Sequence, residues 1–425
     1  MAEAQWEIDE LESGLRVVTT PVPTAQSASV NVFVGVGSRA ENPRTNGLSH
    51  YLEHMMFKGT ERRPTAIHIA EAIEGAGGIL NAYTSQEVTC YWNQVPFDKF
   101  SLAMDVLADM MREALIAQEE VDRERTVVQQ EIRRAYDQPS AWAGHLLSEA
   151  TFGDQPLGWP VAGTVETVEE LQRGDFMEHI GTWYVPKNIV LSVAGNVTHK
   201  EAVAEARKLY LGLEGKAPPA VSLANEGIPQ RNVIVEARDI SQSNIGISLH
   251  AVSRTDPDRY PLMLLNAVLG RGMSSRLFKE VRERRGLAYS VGSAVTRYND
   301  TGVMSIAAGV SPEKVVETTK VIKEELMKLV EEKVGDEELT KARDYTIGSF
   351  RLGLETPMAL AQRAGEHLLM LGEIEPIETV VERLRAVTAD DVQRVAQRLF
   401  RDDNLSMSLV GKGAEEAELA ELLAA

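Results

Sequence analysis

The sequence predicts an α+β protein built as two related domains, and three observations carry that prediction. A chain of 425 residues exceeds what one ordinary hydrophobic core accommodates, so two or more domains are the default. Both periodicities occur: two-residue alternation in "SVNVFVGVGSR" and helical spacing from Phe97 to Tyr136. The chain also echoes itself. "NIVLSVAGN" from Asn188 returns as "NLSMSLVGK" from Asn404, and "VGSRAENPRTNGLSHYLEH" returns as "AVSRTDPDRYPLMLLNAVL".

Taken in chain order, Ser29 to Arg39 alternates as a strand, and Asn46 to Thr60, "NGLSHYLEHMMFKGT", carries a helix. "ILNAYTSQEVTCYWNQV" reads as two strands about a short turn. In "AQEEVDRERTVVQQEIRRAY" acids come early and arginines late, the order that a helix macrodipole favours. "LEGKAPPAVSLANEGIPQRN", Leu213 to Asn232, is rich in Pro, Gly and Ala and is the most linker-like stretch. The expected division is therefore a first domain over 1–213, a linker over 214–231 and a second domain over 232–425. Aligning Arg39 with Arg254 sets the repeat at 215 residues, and His50, Glu53 and His54 then fall on Leu265, Val268 and Leu269. The second copy keeps a helix and lacks the titratable side chains.

Composition narrows the partners. With 44% hydrophobic and 25% charged residues the chain is an ordinary globular protein, and no run approaches the roughly 18 apolar residues of a membrane span. "MAEAQWEIDELESGL" has no basic segment followed by an apolar run, so neither a secretory signal nor a transit peptide is expected. One cysteine, Cys90, excludes an internal disulfide framework and suits a reducing compartment, so a cytoplasmic location is the expectation. A formal charge of −19 argues against nucleic acid and against an anionic membrane surface. "NAVLGRGMSSRL" contains G-x-G, but no strand directly precedes it and the third glycine is missing, so it is no nucleotide loop.

The chemistry concentrates in "HYLEH". Among only eight histidines, His50 and His54 stand four apart, one above the other on a helix face, and both could reach one ion. Zn²⁺ takes nitrogen and oxygen ligands in a tetrahedron, and a catalytic site leaves one corner open, so a third ligand must come from elsewhere. Glu124 and Glu131, seven apart, share a face of the acid-rich helix. One could bind the ion while the other orients a histidine. Glu53 sits next to His54, which makes it a poor co-ligand and a good base for a water at the ion.

"HYLEH" with "FKGT", then "GGILNAYTSQEVTCY", then "ERTVVQQE", resembles the pitrilysin family of zinc peptidases, which includes insulysin and the mitochondrial processing peptidase. The resemblance spans nearly the whole chain. It implies Zn²⁺ as cofactor, Glu131 as the third ligand beside His50 and His54, Glu53 as the base and Glu124 as an acid supporting the site. It also implies that the strand with Asn81, Ala82 and Tyr83 is a sheet edge that takes substrate as an added strand, which grips a peptide by its backbone. In the second half, Arg282 and Tyr289, seven apart in a "REKRGLAY"-type segment, here "RERRGLAY", match residues that in the family reach the scissile peptide from the far side. A Tyr hydroxyl can donate to an oxyanion and an Arg can hold substrate carbonyls.

The resulting expectation is a zinc endopeptidase for unfolded peptides or presequences. Each domain should hold an antiparallel-rich sheet covered by helices on one side. Larger family members close four such domains into a chamber on one chain. Two domains imply half of a clamshell, and hence a homodimer with the chamber between subunits. The rival expectation is a catalytically silent or regulatory subunit acting as a scaffold in a larger complex.

Overall fold

In the computed structural model, residues 6–225 and 233–424 are described; the end of the expected linker lies outside them. Six helices matter for the site: α1 (Leu48–Met55), α2 (Phe100–Glu113), α3 (Gln118–Asp137), α4 (Pro139–Phe152), α5 (Arg259–Gly270) and α6 (Pro357–Leu371). Strands β1 (Glu7–Glu10), β2 (Arg16–Pro21), β3 (Ser27–Val34), β4 (Ile79–Thr84), β5 (Thr89–Pro96) and β6 (Ile189–Gly195) form one sheet in the order β1-β2-β6-β3-β5-β4. Strands β7 (Val233–Ala237), β8 (Ser243–Ala251), β9 (Ala288–Arg297), β10 (Gly302–Val310) and β11 (Leu405–Gly411) form the other, β7-β11-β8-β10-β9. The two sheets share one plan. A single parallel pair, β2 with β6 and β7 with β11, sits in each, and the remaining pairs are antiparallel. The α+β class and the internal repeat are both borne out.

The chain forms two compact units, and they cut across the sequence halves. The first gathers residues up to Ile132, Pro160–Ser222 and Arg351–Ile377. The second gathers Arg133–Trp159, the described residues of Leu223–Phe350 and those from Glu378 on. Helix α4 thus belongs with the second sheet and α6 with the first, which differs from the contiguous division at 213 and 232.

Alternation in β3 shows why each sheet needs helices on both faces, not on one as expected. Ala28, Val30, Val32 and Val34 join the main core of the first unit with α1 and α2. Phe33 points the other way, into a smaller cluster with Val18, Val190, Ala364 and Leu368 under α6. That second face is lined with small polar groups that use the helix backbone. Ser192 donates to the Ala361 carbonyl at 2.7 Å, and its counterpart Ser408 donates to Ala143 in α4, also at 2.7 Å. Gly365 brings α6 this close, because a Cβ there would stand 2.3 Å from the Phe33 ring. Among the described residues no helix is long and apolar enough to cross a membrane.

Candidate metal centre

Helix α1 is oriented by its apolar stripe. Leu48, Tyr51, Leu52 and Met55, at i, i+3, i+4 and i+7, are buried, which leaves His50, Glu53 and His54 on the half-exposed side. Its N-terminus is built without a local side-chain cap. Gly47 has φ 97°, and a Cβ there would meet the Ala162 carbonyl oxygen at 2.6 Å, so only glycine fits. The cap comes from Glu41, which accepts from the Ser49 amide at 2.7 Å, the Gly47 amide at 2.8 Å and Asn46 Nδ2 at 3.2 Å. Burial pushes Glu41 up to about 7, against the pull of those hydrogen bonds.

Helix α3 faces α1 with Val121, Glu124 and Val128 buried, and Tyr51 ties the two by donating its hydroxyl to the Val121 carbonyl. Glu131 follows one turn beyond Val128 and is half exposed. Its Oε2 lies 3.7 Å from His50 Nε2 and 3.4 Å from His54 Nε2. A tetrahedral zinc with bonds near 2.0–2.1 Å spaces its ligand atoms about 3.3 Å apart, so the three side chains fit such an ion. Among the described residues these are the one group of three His, Cys, Asp or Glu side chains able to hold a metal, with ligand atoms all within 4.8 Å. Glu124 stands aside. Its Oε1 takes His54 Nδ1 at 2.9 Å and its Oε2 takes Lys58 Nζ at 2.5 Å.

Burial pushes His50 down to about 4, with His54 acting in the same sense, so its ring is neutral. Burial also opposes charge on His54, but the Glu124 hydrogen bond and the nearby Glu131 and Glu53 outweigh it and raise the group. Glu53 is raised by burial, and its Oε2 accepts from Thr84 Oγ1 at 2.6 Å.

Among the described residues, strand β4, the terminal strand of its sheet, pairs only with β5, so no described strand covers its outer edge. Asn81 and Ala82 lie along it, and the Ala82 amide donates to Asn81 Oδ1 at 2.8 Å. The Tyr83 ring packs into the cluster under α6, on the face away from α1, so Tyr83 offers its backbone to the edge. In the second unit, Arg282 lies on a π-helix, Phe278–Arg284, a type of turn that recurs at functional sites. Its guanidinium is 5.5 Å from the centre of the Tyr289 ring, which is 80% exposed on the terminal strand β9. Leu265, Val268 and Leu269 on α5 are buried, so the second unit seals with apolar groups the face that the first leaves open.

Sequence reasoning missed Glu41, Lys58 and Thr84. Lys58 and Thr84 lie inside the quoted motifs, in "FKGT" and "NAYTS", but nothing local distinguishes them. Glu41 had one usable signal, an acid shortly before a helix-opening glycine.

Two histidines and a glutamate converge on one point, with a carboxylate between the histidines, and form a group able to hold a metal on a duplicated α+β frame. Residues 16–165 match the profile of the insulinase family, Peptidase family M16, and residues 170–345 match the Peptidase M16 inactive domain. The chain belongs to that family. It is 37% identical to an uncharacterized zinc protease of Streptomyces coelicolor, over 94% of this chain and 88% of that one. It is 34% identical to one of Bacillus subtilis, over 92% and 95%. The crystal structure of a protease from Helicobacter pylori superposes with a TM-score of 0.90 at 22% identity, covering 96% of this chain and 100% of that one. A chain of Complex III2 from Candida albicans superposes at 0.85 and 19% identity, covering 98% and 99%. Those two likenesses concern the fold.

Proposed function

We propose that this chain is a zinc-dependent endopeptidase that cuts unfolded peptides held as an added strand on β4. The observation that carries the reading is the contact between the two halves of such a site: Glu53, set between His50 and His54, is bonded at 2.6 Å to Thr84 at the end of the free-edged strand. His50, His54 and Glu131 would hold the ion. When bound, zinc supplies Lewis-acid polarisation and lets water ionise near neutral pH. Glu53 takes the proton of the attacking water on its free oxygen and returns it to the leaving amine. Glu124 keeps the His54 proton on Nδ1, which leaves Nε2 as a lone pair. The β4 backbone fixes the peptide, so many side chains are tolerated. Tyr289 donates to the oxyanion and Arg282 holds substrate carbonyls. We infer a homodimer, the two units of each chain forming half of a chamber, in a reducing cytoplasmic setting that suits the lone buried Cys90.

The second reading, a silent scaffold subunit, draws on the likeness to a chain of Complex III2 and on the inactive-domain profile of the second half. One experiment separates them. A quenched peptide library incubated with the zinc-loaded dimer should be cut, and a chelator should abolish cutting; a fully loaded dimer that cuts nothing supports the scaffold. Rapid internal cleavage of a stable folded protein, without prior unfolding, would count against an enclosed site.

A further inference from the structure

We propose that Thr84 is a positioning residue for Glu53, so that the strand which sets a peptide's register also sets the orientation of the base. The inference deepens the endopeptidase reading and rests on it for its kinetic consequences.

Period-two alternation places Leu80, Ala82 and Thr84 on the α1 side of β4, and Leu80 and Ala82 do pack against the core that holds α1. Thr84 is the third of that row, and its Oγ1 donates to Glu53 Oε2 at 2.6 Å. Three features make the hydroxyl a firm anchor. Thr84 is β-branched and has few side-chain rotamers. Its backbone is opposite Thr89, which is fully buried and donates to the Val36 carbonyl at 2.9 Å. The turn that follows is closed twice on Val88, by the Ser85 amide at 2.8 Å and the Ser85 hydroxyl at 3.0 Å. Glu53 is a long side chain with several rotatable bonds on the half-exposed side of an eight-residue helix, and among the described residues Thr84 is its one hydrogen-bond partner. A donor on one oxygen removes that freedom and leaves the other oxygen for proton transfer. A hydroxyl donor also cannot compete as an acid, since its proton stays on Thr84 throughout.

The arrangement links recognition to chemistry through one rigid element. A peptide added along the outer edge of β4 is registered against the same residue that aims the base. Misalignment of a reacting group by about an ångström costs on the order of 100-fold in rate, so the bond should show in turnover more than in binding.

The test uses the full-length zinc-loaded dimer with Thr84→Val, which keeps the shape and removes the hydroxyl, and Thr84→Ser, which keeps the hydroxyl. Thr84→Val should bind zinc stoichiometrically, hold KM within about twofold and lose about 10- to 100-fold in kcat. Thr84→Ser should return to within about threefold of wild type. A merely structural threonine predicts the opposite ranking, with valine the milder change. The second measurement is independent of turnover: crystal structures of the metal-free wild type and Thr84→Val, in which the Glu53 carboxylate should leave its wild-type position in the variant. Wild-type kcat in Thr84→Val, serine no better than valine, or an unmoved Glu53 carboxylate would each overturn the inference. If zinc-loaded wild type cuts no peptide, the endopeptidase reading fails, and the crystallographic comparison still decides whether Thr84 positions Glu53.

Discussion

His54 and Glu124 are joined through Nδ1 and Oε1 at 2.9 Å, and the second oxygen of Glu124 is bound by Lys58. An ionised carboxylate only accepts, so in the neutral ring the proton sits on Nδ1 and the lone pair on Nε2, the nitrogen 3.4 Å from Glu131 Oε2. Two glutamates that share one helix face thereby receive different work: one sets a tautomer, the other completes the metal-type cluster.

That division predicts metal contents. Glu131→Gln should lose zinc, because a neutral amide is a poor ligand. Glu124→Gln should keep the ion with an affinity lowered about 10- to 100-fold. Glu53→Gln should bind zinc at full stoichiometry and lose turnover by at least about 100-fold. Elemental analysis of the three purified variants checks the set, and a zinc-free Glu53→Gln would reverse the roles of Glu53 and Glu131.

Zinc affinity should fall with acid in a one-proton manner. A ligand must be deprotonated to bind, so a raised group competes from a higher pH, and His54 is raised by its carboxylate neighbours despite burial. His50, pushed down to about 4, stays neutral through that window. Titrating zinc against a chromophoric competitor between about pH 5 and pH 8 should therefore give a slope of about one proton, centred above the ordinary histidine value near 6.5. A slope of two would mean that both rings charge together.

Glu41 should matter to a site it does not touch. Glu41→Ala leaves the Ser49 and Gly47 amides buried without their acceptor, a loss of about 1–3 kcal/mol. Thermal unfolding should show a lower Tm, and zinc should bind more weakly, since Ser49 precedes His50 directly. An unchanged Tm would show that the helix end finds another cap.

Subunit pairing can be read from complementation. If zinc in one chain works with Arg282 and Tyr289 of the other, Glu53→Gln and Tyr289→Phe fall in the same site of a mixed dimer and the other site is whole. Random pairing makes about half the dimers mixed, so co-expression should recover roughly a quarter of wild-type activity from two nearly inactive parents. Purifying the mixed dimer by two tags removes doubt about exchange, and no recovery there would assign Arg282 and Tyr289 to their own chain's site.

Much of this site is legible from residue order because a helix or strand writes its faces locally. The spacing of His50, Glu53 and His54 places them together on α1 whatever surrounds it, and the seven-residue step from Glu124 to Glu131 does the same on α3. Leu265, Val268 and Leu269 likewise announce a second helix whose open face has been closed. Distances between elements are another matter, since they depend on packing that no local period encodes. Residue order left Glu124 and Glu131 equivalent until a family resemblance chose between them; in the fold, Lys58 and His54 occupy both oxygens of Glu124 and only Glu131 reaches both rings. It could not show that α4 and α6 pack in the unit opposite their sequence half, because the small polar faces around Ser192 and Ser408 have no helical period to match. Glu41 under α1 and Thr84 beside Glu53 belong to the same category: their partners lie 5 to 8 and 31 positions away, and only the folded chain brings them within a hydrogen bond.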